Sequence, residues 1–220
     1  MIDGSKIRTS NGVPANLKNQ EANKAAMAKN MEFRKPWSEF ESWLAANCPE
    51  LEGVLNAGAT AEQLQAAESE LGFKLPDDFK AFYSIHDGQV EDSAGLFDGF
   101  ELLSLSGILL EHKRLTDFLA NQGKERLDAG VTADTGVFPV YWKTSWIPFI
   151  RNDCGNYYCV DLGPTSEGVS GQIVGMWLMP PARSLLGRSI GDWFQRYVVR
   201  VLDGAYEFSE DEDGLIEIED

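Results

Sequence analysis

The stretch Glu68-x-x-Leu71-Gly72-x-x-Leu75-Pro76-Asp77-Asp78-Phe79-x-x-Phe82-Tyr83-x-x-His86-Asp87-Gly88 decides the fold. Proline fixes the backbone angle wanted at a helix start and lacks the N–H that a first turn leaves unpaired, so Pro76 begins a helix. Asp77 and Asp78 then place negative charge at the positive end of the helix dipole. Phe79, Phe82 and Tyr83 fall on one face, and Gly88 ends the segment. Just upstream, Thr60-Ala-Glu-Gln63 reads as a capping box, in which a hydroxyl and a side-chain amide satisfy reciprocal backbone donors. The helix it starts carries Leu64, Ala67, Glu68 and Leu71 on one face, and Gly72 suits its left-handed stop.

Working outward, Pro36-Trp37 opens an earlier helix with Trp37, Phe40, Trp43 and Leu44 at helical spacing. Downstream come short stretches rich in aromatic and β-branched residues, separated by Gly or Pro turns: Gly95-Leu-Phe97, then residues 101–105, 146–150, 156–161 and 172–178. A helix over residues 106–120 is expected with Ser106 as its cap. A last one runs from Ser189 through Trp193, Phe194, Tyr197, Val198 and Val201 to Gly204. Helices flanking a run of strands predict an α+β fold, a mixed and mostly antiparallel sheet backed by several helices.

Charge divides the chain. Its 220 residues hold 19 Lys and Arg against 35 Asp and Glu, a formal net charge of −16. Residues 1–36 carry seven bases and three acids, and residues 207–220 carry eight acids and no base. The organisation predicted is a weakly structured or helical arm (residues 1–36), one domain (37–206) and an acidic tail (207–220). The tail reads as a solvated run. The alternation Leu215-Ile216-Glu217-Ile218-Glu219 offers a second reading, a strand added to a partner. A field of this sign repels nucleic acid and anionic membranes and favours a basic protein partner. The start lacks the apolar core of a signal peptide, and no apolar run approaches the ~20 residues of a membrane span. Three cysteines, Cys48, Cys154 and Cys159, are an odd and sparse set, which predicts a reducing, cytoplasmic setting.

Patterns that could carry chemistry are few. Gly187-Arg-Ser189-Ile-Gly191 matches the nucleophile-elbow spacing, but that motif needs a preceding strand and a later histidine. The segment Pro180-Pro-Ala-Arg-Ser-Leu reads as a poor strand. Both histidines, His86 and His112, lie upstream, so Ser189 reads better as a helix cap. Cys154 and Cys159 lack a second pair of close ligands for zinc, and no glycine-rich phosphate loop is present. No metal, cofactor or catalytic residue is expected.

The spaced set from Glu68 to Gly88 resembles the opening signature of the SUKH superfamily, named in part for fungal cell-wall synthesis regulators. Further matches follow in order: Gly95-Leu-Phe97, Leu102-Leu-Ser-Leu105, Trp146-Ile-Pro-Phe149, the stretch from Gly155 to Asp161, Gly168 with Gly171-Gln172, and a closing helix before Asp203-Gly204-Ala-Tyr206. The resemblance covers residues 37–206. It implies an α+β domain that binds proteins and catalyses nothing. Bacterial members of the superfamily are immunity proteins of polymorphic toxin systems, and fungal members are regulators with long disordered flanks. The short flanks here resemble the bacterial kind. The expected function is therefore a cytoplasmic immunity protein that occludes the basic cleft of a cognate toxin, with no nucleic acid or membrane as partner. A regulatory protein-interaction scaffold is the alternative, and a hydrolase using Ser189 is a third reading. Candidate contacts are Asp87, Glu91, Asp92, Phe97, Asp98 and Glu101, with Asp153 and Tyr157 in the loop before the Cys-Val-Asp strand. Each of them reads equally well as a solvated surface residue.

Overall fold

A computed structural model of the chain describes residues 15–218, with side chains at Lys29 and from Met31 onward. The first helix, α1 (Ala15–Asn47), is 33 residues long, or about 50 Å at the helical rise. It runs straight through Pro36 instead of starting there. Proline removes one ladder hydrogen bond, and packing on both sides of it carries the helix across. Phe33 lies edge-on to Phe82 at 5.7 Å, Trp37 lies 4.5 Å from Phe194, and Phe40 lies 5.7 Å from Phe97. Phe33 is 3% exposed, so the core begins inside the segment expected to be an arm. For the weak helix that the sequence also predicts over residues 17–31, the small face at Ala22, Ala25, Ala26 and Met27 lies outside the described side chains.

Helices α2 (Ala61–Leu71) and α3 (Asp77–Tyr83) form where the sequence places them. Thr60 Oγ1 accepts from Gln63 N while Gln63 Oε1 accepts from Thr60 N. Gly72 closes α2 with φ +79°, a conformation that costs a residue without Cβ nothing. The helix α4 (Leu105–Gln122) is capped by Ser104, not Ser106; the Ser104 hydroxyl accepts from Gly107 N at 3.2 Å. A short α5 (Lys124–Asp128) follows.

Six strands form one sheet: β1 (Glu101–Leu102), β2 (Thr132–Ala133), β3 (Trp146–Arg151), β4 (Tyr157–Asp161), β5 (Gln172–Leu178) and β6 (Pro181–Gly187). Their order is β1-β3-β4-β5-β6-β2, antiparallel throughout except for the parallel β2–β6 pair. Pro148 sits at a register shift in β3, because it has no N–H to donate to the ladder. Gly95-Leu-Phe97 makes only isolated bridges. The segment that reads as a poor strand is β6. Its Pro181 occupies the first strand position, where a missing N–H is tolerated.

Both faces of the sheet are buried. Alternation along β4 sends Tyr158 and Val160 into the large core shared with α1, α3 and the last helix, α6 (Ile190–Leu202). It sends Tyr157 and Cys159 into a smaller core with Leu115 of α4, Trp142 and Met176. Arg183 lies in this second layer at 1% exposure. Its guanidinium donates to the carbonyls of Val140, Tyr141, Trp177 and Ala182. Burial pulls its pKa down to about 10.

The acidic end of the chain folds back on the body. Strands β7 (Tyr206–Ser209) and β8 (Gly214–Glu217) pair antiparallel. Leu215 is fully buried. Gly95 N donates to Asp213 O, and Gly99 N to Leu215 O. The solvated reading thus fails for this stretch: Tyr206 and Leu215 are buried within the chain, with the described carboxylates on the outside.

Candidate functional site

Between residues 85 and 104 the chain crosses the molecule as a loop that side chains hold in place. Asn56 Nδ2 donates to the carbonyls of Asp87 and Gln89. Gln89 is buried; its Oε1 accepts from Leu102 N at 2.9 Å, and its Nε2 donates to Ser93 Oγ and Ala94 O. Gly88 is required at the crossing. A Cβ there would lie 2.3 Å from Ser104 N, and its φ is +71°. Asp87 joins the loop to α4, with Oδ1 accepting from Leu105 N at 2.7 Å. Burial raises the Asp87 pKa, and that hydrogen bond only partly offsets the rise.

This loop and α4 enclose a groove of about 340 Å³, lined by Val90, Glu91, Glu101, Leu110, Glu111 and Arg151 among others. Its floor is an ionic network. Glu111, 4% exposed, accepts from Arg114 Nε at 2.8 Å, Arg151 Nη1 at 3.0 Å and the Tyr157 hydroxyl at 2.8 Å. Arg151 Nε donates to Glu101 at 2.9 Å, and Arg114 also reaches the Tyr157 hydroxyl. Burial opposes the charge on Arg151, but Glu101 and Glu111 outweigh it and its pKa ends raised. The Tyr157 phenol is pushed up by burial and then by Glu111. Two carboxylates and two guanidiniums hold one another in place, so the floor is rigid and near neutral. Above it stand Leu110, 64% exposed, and Val90, 48% exposed.

Of the residues expected to meet a partner, Glu91 and Glu101 line this groove. Asp92 is exposed beside Glu91 with φ 59°, and Asp87 stands at the start of α4. Two expectations are corrected. Phe97 is fully buried among Trp37, Phe40 and Trp193, so its ring is core. Tyr157, 2% exposed, acts from beneath the floor and presents nothing to a partner. Asp98 lies apart, accepting from the Tyr158 and Tyr206 hydroxyls at 2.7 Å each beside a smaller pocket that includes Arg196 and Arg200. Asp153 is exposed in the β3–β4 turn, outside the groove.

Sequence reasoning missed Glu111, Arg151 and Leu110. A signal for Glu111 was there: Leu105, Ile108, Glu111 and Leu115 are the buried residues of α4, and their spacing puts a carboxylate on the apolar face. Ser189 has a strand before it and a helix after it. Its backbone is extended (φ −161°, ψ 168°) and its hydroxyl accepts from Asp192 N at 3.1 Å, which is a cap. His86 is bound to Asn56 O and Glu41, and His112 to Thr144 O, so neither ring serves Ser189. Among the described residues no helix is long and apolar enough to cross a membrane.

Residues 58–196 match the model of the SMI1 / KNR4 family (SUKH-1), a span that contains all the lining of the groove except Asn56. KNR4/SMI1 homolog 2 of Debaryomyces hansenii is 30% identical over 207 residues, covering 76% of this chain and 35% of that protein. The cell wall assembly regulator SMI1 of Saccharomyces cerevisiae is 27% identical over 172 residues, covering 63% and 34%. Human F-box only protein 3 is 27% identical over 189 residues, covering 82% and 36%. The chain thus spans about a third of the length of these relatives.

Proposed function

This chain belongs to the SMI1 / KNR4 family (SUKH-1), and from that premise we propose that it is a non-enzymatic regulatory scaffold whose groove between residues 85–104 and α4 holds a partner protein. The toxin-neutralising expectation gives way. Two of the relatives reported are yeast proteins, one named a regulator, and the third is an F-box protein.

One observation carries the reading: the groove's ionisable floor is committed to itself. Glu111 has three donors on it and Arg151 bridges two carboxylates. A general acid or base must be free to exchange its proton with a substrate, whereas a fixed platform under exposed apolar side chains suits recognition. Cytoplasmic residence belongs to the same reading, supported by three cysteines with no disulfide among them. Proximity labelling in cells tests it. Partners tagged by the intact chain should be lost with Leu110→Asp and kept with Val169→Asp, a control on the exposed β4–β5 loop. An unchanged partner set with Leu110→Asp, or a turnover traced to a residue of this chain, refutes it.

A further inference from the structure

Building on that scaffold reading, we propose that the groove accepts an extended partner segment in which basic side chains alternate with apolar ones. Its two lips differ in chemistry. On the α4 side, Leu110 stands 64% exposed, with Gly107 and the small Ser106 beside it, so a backbone can come close. On the loop side, Glu91 lines the groove and Asp92 is exposed beside it, while Asp87 turns its carboxylate inward to Leu105 N. The acids of the floor, Glu101 and Glu111, are already met by Arg151 and Arg114, so the uncompensated charge of the groove is the acidic lip.

An extended chain sends successive side chains to opposite sides. A segment lying along the groove would therefore set one row against Leu110 of α4 and the other against Glu91 and Asp92 of the loop. The net charge of −16 over the whole chain acts in the same direction at longer range, speeding the approach of a basic segment and repelling an acidic one. The pre-formed floor lowers the cost of ordering on the scaffold side.

Fluorescence anisotropy on the full chain tests this with a labelled peptide of about twelve residues alternating Lys with Leu. Two companions replace Lys by Glu, or Leu by Ser. The expected result is binding of the Lys-Leu peptide alone, weakening steeply between about 50 and about 300 mM salt. Joint Glu91→Lys and Asp92→Lys replacement should weaken it about tenfold, and Leu110→Ser about fivefold, with Val169→Ser unchanged. Equal binding of the Lys-Ser peptide, or equal losses with Val169→Ser, would reduce the effect to diffuse charge attraction and overturn the proposal. Sedimentation showing a self-associated chain that Leu110→Ser makes monomeric would assign the groove to a second copy and also overturn it. If no peptide binds while proximity partners still depend on Leu110, the scaffold stands and the basic segment is wrong.

Discussion

Replacing Glu111 with Ala should cost about 3–4 kcal/mol of folding stability, and the network explains the figure. The Tyr157 hydroxyl, which is buried, loses its acceptor, worth about 1–3 kcal/mol for an orphaned donor. Arg151, 27% exposed, keeps Glu101, so its loss is held to about 1 kcal/mol. Arg114 is 55% exposed and rehydrates, so it adds little. The missing methylenes leave a small cavity worth about 1 kcal/mol. Urea unfolding followed by tryptophan fluorescence reads the sum as a midpoint lowered by about 1–2 M with the slope unchanged. A double-mutant cycle with Tyr157→Phe isolates the central contact. A phenylalanine ring at this position has no donor to strand, so the second change should cost about 1–2 kcal/mol less in the Ala background than alone. A single-variant loss under about 1 kcal/mol, or strict additivity in the cycle, would show that the floor is not the coupled unit described above.

Two further predictions concern buried charge. Because burial raises the Asp87 pKa, the folded chain binds that proton more tightly than the unfolded one, so its contribution to stability falls as pH rises through the folded pKa. Relative to Asp87→Asn, the unaltered chain should therefore be more stable near pH ~4 than near pH ~7. Urea midpoints of both proteins at the two pH values check it, and a difference that grows with pH contradicts it. Arg183→Met should destabilise by about 3 kcal/mol or more, since it takes the donors of a buried guanidinium from the carbonyls of Val140, Tyr141, Trp177 and Ala182 at once. Thermal unfolding measures it, and a melting temperature unchanged within about 2 °C would contradict the role given to this arginine.

Much of the helical half of the fold was legible because its signals are local. A capping box, a left-handed glycine and a Pro-Asp-Asp start each act within four residues, and α2, α3 and α6 form accordingly. The strands from Trp146 to Leu178 were legible from composition. What escaped depends on tertiary partners. Pro36 reads as a helix start, yet Phe33 and Trp37 dock on the same aromatic cluster and pull the helix through it. Pro181 argues against a strand only until its place as the first residue of β6 is known. The acidic end hides a β-hairpin because carboxylates on the outer side do not hinder Leu215 on the inner one. At the groove, Glu91 and Glu101 were legible as charges on a loop. The network beneath them joins α4 to β3 and β4 across 40 or more positions, beyond the reach of any local pattern.

The hairpin that closes the chain has a consequence for how such domains are delimited. The family model matches residues 58–196, but α1 fills the aromatic core from one side of that span and β8 props Gly95 and Gly99 from the other. A fragment trimmed to that match would lose both walls that keep the 85–104 crossing in shape. The span by which a family is matched is shorter than the one folding has to assemble.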